Sequence, residues 1–269
     1  MRQRILVLAV AAVLALPAFS EEISTDITVA LGGTLAADED VVEDTGGVAT
    51  KIDVGTLPAA ADLSGYTIAT NGDILFSIDI AASLPGGIDV TPRDVVRWNG
   101  SSYSIELAGA DHGLPAGAQI DAIGLVQGDL LLSLDVTATL GSVTADDEDL
   151  VRLESTQPDV WSLYFDGSAK GVPAGADLDG ADVIDANGHL ALSFDISGSV
   201  GGVDFDDDDI LEFTPGADTW TKRYDGSAAH PELAAADVDA VFAPEPGAVA
   251  LAAAVHAALA VLSRRRKRA

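Results

Sequence analysis

Residues Gly117 to Pro173 read GAQIDAIGLVQGDLLLSLDVTATLGSVTADDEDLVRLESTQPDVWSLYFDGSAKGVP, one copy of a unit that recurs along most of the chain. Within it Leu130, Leu132, Leu134 and Val136 alternate with Leu131, Ser133 and Asp135, the period-two signature of a β-strand. The same alternation returns in Ile74, Phe76, Ile78, Ile80 and in Leu190, Leu192, Phe194, Ile196. Each such run carries a Ser-x-Asp mark: Ser24 to Asp26, Ser77 to Asp79, Ser133 to Asp135 and Ser193 to Asp195, spaced 53, 56 and 60 residues apart. A second mark follows 14 or 15 residues later, an Asp leading an aliphatic pair: Asp40-Val41-Val42, Asp94-Val95-Val96, Asp149-Leu150-Val151 and Asp209-Ile210-Leu211.

The repeat resolves into four short strands. In the quoted copy, strand a is Ile120 to Val126, strand b Leu130 to Val136, strand c starts at Asp149 and strand d carries Trp161 to Phe165. Gly and Asn-Gly signals (Gly128, Asn71-Gly72, Asn187-Gly188) punctuate the joins. The first copy lacks the strand-d aromatic and enters the repeat at strand b, Ile23 to Val29, while the last strand-like piece, Asp237 to Phe242, matches strand a of Asp177 to Ile184. Four units are complete only if the C-terminal strand joins the N-terminal three. The expected fold is therefore all-β, four repeats of about 55 residues closed into a four-bladed β-propeller. An open stack of β-units or a sandwich would use the same strands. The expected domains are a signal peptide over 1–20, a repeat body over 21–243 (units near 21–57, 58–114, 115–172 and 173–230, with closing segment 231–243) and a tail over 244–269.

The chain has 269 residues, 48% apolar and 5% aromatic, enough for one β domain with its own core. Residues 21–243 hold 7 basic and 42 acidic side chains, a formal net charge of −35. Such a body repels nucleic acid and anionic lipid and favours cations. A highly soluble or salt-adapted surface would have the same composition. With no cysteine, disulfides, thiol nucleophiles and thiolate metal sites are excluded.

Both ends read as addresses. Met1-Arg2-Gln3-Arg4, an apolar run from Ile5 to Leu16 and Ala18-Phe19-Ser20 before Glu21 form a Sec-type signal peptide with a signal-peptidase site. The C-terminus has Pro244-Glu245-Pro246, an apolar run over 247–262 and Arg264-Arg265-Arg266-Lys267-Arg268. Sixteen apolar residues is short against the roughly 20 of a stable span, and the basic cluster would hold the end on the cytoplasmic side. This three-part order resembles the PEP-CTERM sorting signal of exported bacterial proteins. The resemblance covers about 26 residues. It implies a transient inner-membrane helix, recognition by an exosortase near Pro244, Glu245 and Pro246, and delivery to the surface of a Gram-negative bacterium, often one that makes exopolysaccharide.

For chemistry, the b to c connection reads as one long hairpin with Gly residues at its tip. That geometry would set Asp26 against Asp40, Asp79 against Asp94, Asp135 against Asp149 and Asp195 against Asp209. Paired carboxylates need compensation, and Ca2+ is the candidate ion, with Asp38-Glu39, Asp146-Asp147-Glu148 and Asp206-Asp207-Asp208 as further ligands. The second unit breaks the pattern with Thr91-Pro92-Arg93, where Arg93 could pair with Asp94 or Asp79. Alternatively each Asp accepts backbone N–H groups in a turn. His112, His189 and His230 fall at different places in their units and match no metal-ligand spacing, and no nucleophile elbow or phosphate loop occurs. The expected role is non-enzymatic: a structural or adhesive surface module. A lectin-like binder of surface polysaccharide, with Trp98, Trp161 and Trp220 as platforms, is the runner-up, and a glycan-active enzyme with paired carboxylates the third reading.

Overall fold

In the computed structural model, residues 20–244 are described; residues 1–19, within the expected signal peptide 1–20, and residues 245–269, including the expected membrane run 247–262, lie outside them. Four antiparallel four-stranded sheets form the blades of a four-bladed propeller. Blade 1 has strands b Ser20–Ser24, c Val41–Thr45 and d Ala49–Ile52, and takes its strand a, Ala240–Phe242, from the far end of the sequence. Blade 2 runs a Gly65–Ile68, b Ile74–Ser77, c Val95–Trp98, d Tyr103–Leu107. Blade 3 runs Ile120–Val126, Asp129–Leu134, Leu150–Thr156, Asp159–Phe165, and blade 4 Gly180–Val183, Leu190–Ser193, Asp209–Thr214, Thr219–Asp225. The four a strands face one another about the axis.

The ring closes as the repeat register requires: Glu22 pairs with Phe242, Ile23 with Val241 and Ser24 with Ala240. Two boundaries differ from the sequence reading. Strand b of blade 1 spans 20–24 rather than 23–29, because the chain bends at Asp26 and Val29 opens a separate small hairpin. The closing strand spans 240–242 rather than 237–242, because residues 237–239 direct their N–H groups to Asp26, Asp207 and Ser24 rather than into a ladder.

Strand b alternates, yet Leu131 and Leu132 are both fully buried. Each blade packs on a neighbour through both faces, so the two sets of side chains feed two different junctions. Four apolar clusters result, one per junction; Leu75 and Val95 of blade 2 meet Ile123 and Leu132 of blade 3, and Phe165 of blade 3 meets Phe194, Phe213 and Trp220 of blade 4. Trp161 and Trp220 are thus core side chains, 8% and 6% exposed, which removes them as sugar platforms; Trp98 is half-buried and stacks on Tyr103 at 4.6 Å.

The junction of blades 4 and 1 also holds buried charge. Arg223 Nε donates to Glu21 Oε1 at 2.9 Å with both side chains 2% exposed, and Tyr224 Oη donates to Asp44 Oδ2 at 2.9 Å. Ala243 N donates to Asp182 Oδ2 at 3.0 Å. Without disulfides, these contacts and the sheet pairing hold the two chain ends together. Among the described residues no helix is long and apolar enough to cross a membrane.

Candidate functional site

The b to c connection is not one continuous hairpin. After strand b ends, each repeat makes a separate two-stranded hairpin, Ala138–Leu140 with Val143–Ala145 in blade 3, whose tip is the expected Gly pair or Gly-Ser. Gly32, Gly86, Gly141 and Gly201 at these tips all have positive φ, the region glycine enters without strain. The extra hairpin changes the pairing of the marker Asp residues. Leu130 pairs with Leu153 and Leu132 with Val151, so the same register carried outward sets Asp135 opposite Glu148, one place short of Asp149. A one-residue offset in a strand puts side chains on opposite faces. The two Asp of each repeat therefore do not form an opposed pair; they take two separate jobs.

The second mark is structural. Asp149 Oδ2 accepts from Asp146 N at 3.0 Å and Oδ1 from Gly167 N at 2.9 Å. Asp94 does the same with Thr91 N at 2.8 Å and Gly109 N at 2.9 Å. Asp209 accepts from Asp206 N and pairs with Lys222, and Asp40 accepts from Ala37 N and pairs with Lys51. A Cβ on Gly109, Gly167 or Gly226 would lie 2.0 to 2.4 Å from the carbonyl oxygen of the residue before the mark, so only glycine lets strand d turn back so closely. Arg93 pairs with neither Asp94 nor Asp79 as expected; its Nη1 reaches the Leu114 carbonyl at 3.0 Å.

The first mark lies at one mouth of the central channel. Asp79, Asp135, Asp195 and Asp26 each accept, at 2.7 Å, from the backbone N–H of the residue leading into strand a of the same blade: Asp62, Gln119, Asp177 and Asp237. Each returns its own N–H to that residue's carbonyl. The next residue, Leu63, Ile120, Leu178 or Val238, donates across the junction to the carbonyl of Asp38, Pro92, Asp147 or Asp207 of the preceding blade. One residue further on come Ser64, Asp121, Asp179 and Asp239.

These bonds draw an arc of carboxylates around the mouth. Oxygens of Asp179, Asp237 and Asp239 all lie within 4.8 Å of one another. Asp121 is 6% exposed, and its Oδ2, Asp179 Oδ2, Asp237 Oδ1 and Asp62 Oδ1 are buried with no hydrogen-bond partner. Among the described residues no basic side chain pairs with the arc: Lys51, Arg97, Arg152, Lys170, Lys222 and Arg223 pair with carboxylates elsewhere. At 4.8 Å and an effective dielectric of about 20, each ionised pair repels by roughly 3 kcal/mol.

Protonation responds accordingly. Burial first, then Asp177 and Asp135, pushes Asp121 up to about 9; burial with Asp237 and Asp239 pushes Asp179 to about 10; burial with Asp207 and Asp26 pushes Asp237 to about 8. Burial and Asp147 take Asp177 to about 7, while Asp62 and Asp239, in contact with each other, are both raised. Six of these residues, Asp62, Asp121, Asp177, Asp179, Asp237 and Asp239, were not singled out by the sequence reading. Their signal was the repeated Asp-x-Asp of Asp177-Leu178-Asp179 and Asp237-Val238-Asp239.

The histidines stand apart from the mouth. His112 Nδ1 is 2.9 Å from Asp159, His189 Nδ1 3.3 Å from Glu212, and buried His230 Nε2 3.3 Å from Asp44.

No family model and no curated protein matches the chain. Solved structures with a similar course include the hemopexin-fold protein CP4 from cow pea (11% identity, 75% of this chain and 91% of that one, TM-score 0.42). YCF48 from Cyanidioschyzon merolae is 12% identical over 70% of this chain and 54% of its own, with TM-score 0.32, so the chain spans about half its length. A nidogen/laminin complex is 10% identical over 76% and 60%, with TM-score 0.34.

Proposed function

We propose that this chain is an exported, non-enzymatic structural or adhesive module of the bacterial cell envelope or extracellular matrix. One observation carries the reading: the whole ring lies within residues 20–244 and is sealed inside blade 1, where Glu22 pairs with Phe242. Cleavage after Ser20, with removal of a sorting tail, would take from the blades only Ser20, the first residue of strand b of blade 1, and would keep the closing pairs of Glu22, Ile23 and Ser24. Pro244-Glu245-Pro246 follows the closing strand directly, so an exosortase cutting there would release or re-anchor a finished propeller. Residues 247–262 would serve as its transient anchor, and the Sec machinery with signal peptidase would act at the other end.

A second reading has its own observation. A groove of about 430 Å3 beside blades 3 and 4 is lined by Tyr164, Lys170, Asn187, Phe213 and Asp218, an aromatic and polar mixture suited to a sugar. The test is expression of the full chain in an exosortase-bearing host, with surface protease shaving and a host-polysaccharide binding assay. Surface display lost on replacing Pro244, Glu245 and Pro246 by Ala, without saturable polysaccharide binding, supports the structural module. Saturable binding lost in Tyr164→Ala supports the glycan reading, and release of shorter sugars contradicts both.

A further inference from the structure

The acidic arc is not a uniform consequence of an acidic composition. At three junctions a carboxylate leading into strand c (Asp38, Asp147, Asp207) adjoins one leading into the next strand a (Asp62, Asp177, Asp237), joined by the same backbone bond. At the junction of blades 2 and 3 both positions change together, to Pro92 and Gln119, while the backbone bond is kept, Ile120 N to Pro92 O at 2.9 Å. The fold therefore does not need the carboxylates there. Where they occur, they occur as facing groups.

We propose that the mouth holds a divalent cation, calcium, between Asp179, Asp237 and Asp239, where it ties blade 4 to the C-terminal segment that closes the ring. Three carboxylates converge within 4.8 Å, a hard all-oxygen set of net charge −3 when ionised. Within this set Asp179 Oδ2 and Asp237 Oδ1 are buried without a hydrogen-bond partner, as is Asp121 Oδ2 at the equivalent position of blade 3, where the residue is 6% exposed. Asp179 comes from the lead-in to blade 4 and Asp237 and Asp239 from the closing segment, so a shared ion bridges a seam 58 residues apart in sequence at its nearest point. A second acidic group, Asp206, Asp208 and Asp209, is a poorer host, because Lys222 already pairs with Asp209. The inference does not depend on where the protein is sorted.

The experiment is calcium titration of the full chain by calorimetry, with thermal midpoints in EDTA, CaCl2 and MgCl2, for wild type, Asp179→Asn, Asp239→Asn and Asp206→Asn. The expected result is saturable calcium binding that raises the midpoint by roughly 5 °C at a hundredfold excess over Kd, weakened tenfold or more in Asp179→Asn and Asp239→Asn and unchanged in Asp206→Asn. In EDTA near neutral pH the first two variants should be at least as stable as wild type, since Asn needs no bound proton to sit among the neighbouring carboxylates. Absence of calcium binding, binding that survives both substitutions, or Asn variants that are less stable in EDTA would each overturn the site; the last would make these side chains hydrogen-bonding supports.

Discussion

Gly167 sits where strand d of blade 3 turns under the Asp149 loop, and a methyl group there would meet the Glu148 carbonyl at 2.4 Å. Gly167→Ala should cost about 3 kcal/mol, since backbone rather than a pliable side chain must move. Gly117, with nothing within 4 Å and no left-handed backbone, should accept Ala with no loss. Urea unfolding of the two variants checks the contrast. Asp149→Ala strands the N–H groups of Asp146 and Gly167 and should cost about 2 to 3 kcal/mol, independent of calcium; Asp149→Asn, keeping one acceptor oxygen, should cost less. At this scale the Ser-x-Asp and Asp-aliphatic marks were legible as landmarks. Their chemistry was misplaced because a count between Asp135 and Asp149 cannot reveal that a second hairpin, Ala138 to Ala145, interrupts the ladder. Ser133 donates to the Asp147 and Asp149 carbonyls and Ser24 to those of Asp38 and Asp40, tying b to c in those two repeats, whereas Ser77 donates to the Ile120 carbonyl of the next blade.

Among elements, the closing strand seals the ring. Only three residues, 240–242, pair with strand b of blade 1, yet without them Ser20–Ser24 is an open sheet edge and Val241 leaves the core cluster of the 4/1 junction. A chain ending at Ala236 should lose its cooperative thermal transition and aggregate, as circular dichroism and light scattering would show; a cooperative transition within a few degrees of the full chain would contradict ring closure. Strand identities were legible from period-two runs such as Leu190 to Ile196. The mouth was not. Asp179 and Asp239 become neighbours only when the ring closes, and no local pattern states that juxtaposition.

For the whole molecule, charge decides the pH response. Asp121, Asp179 and Asp237 are raised to about 9, 10 and 8 in the folded chain against about 3.9 when unfolded. Between those limits the folded state binds more protons than the unfolded one, so stability is fully present below about pH 4 and falls as pH rises through about 8 to 10. In EDTA the thermal midpoint at pH 5 should exceed that at pH 9, and calcium should narrow the gap from the alkaline side, because the ion replaces the protons. A midpoint that rises with pH in EDTA would contradict the arc's electrostatics.

The most direct measurement is hydrogen exchange by mass spectrometry on residues 237–243 of the full chain, with and without calcium. Closure at an acidic, ion-bridged seam predicts protection of Val241 comparable to that of Ile123 in blade 3, increasing when calcium is added. Exchange at the rate of a free tail, unchanged by calcium, would contradict it.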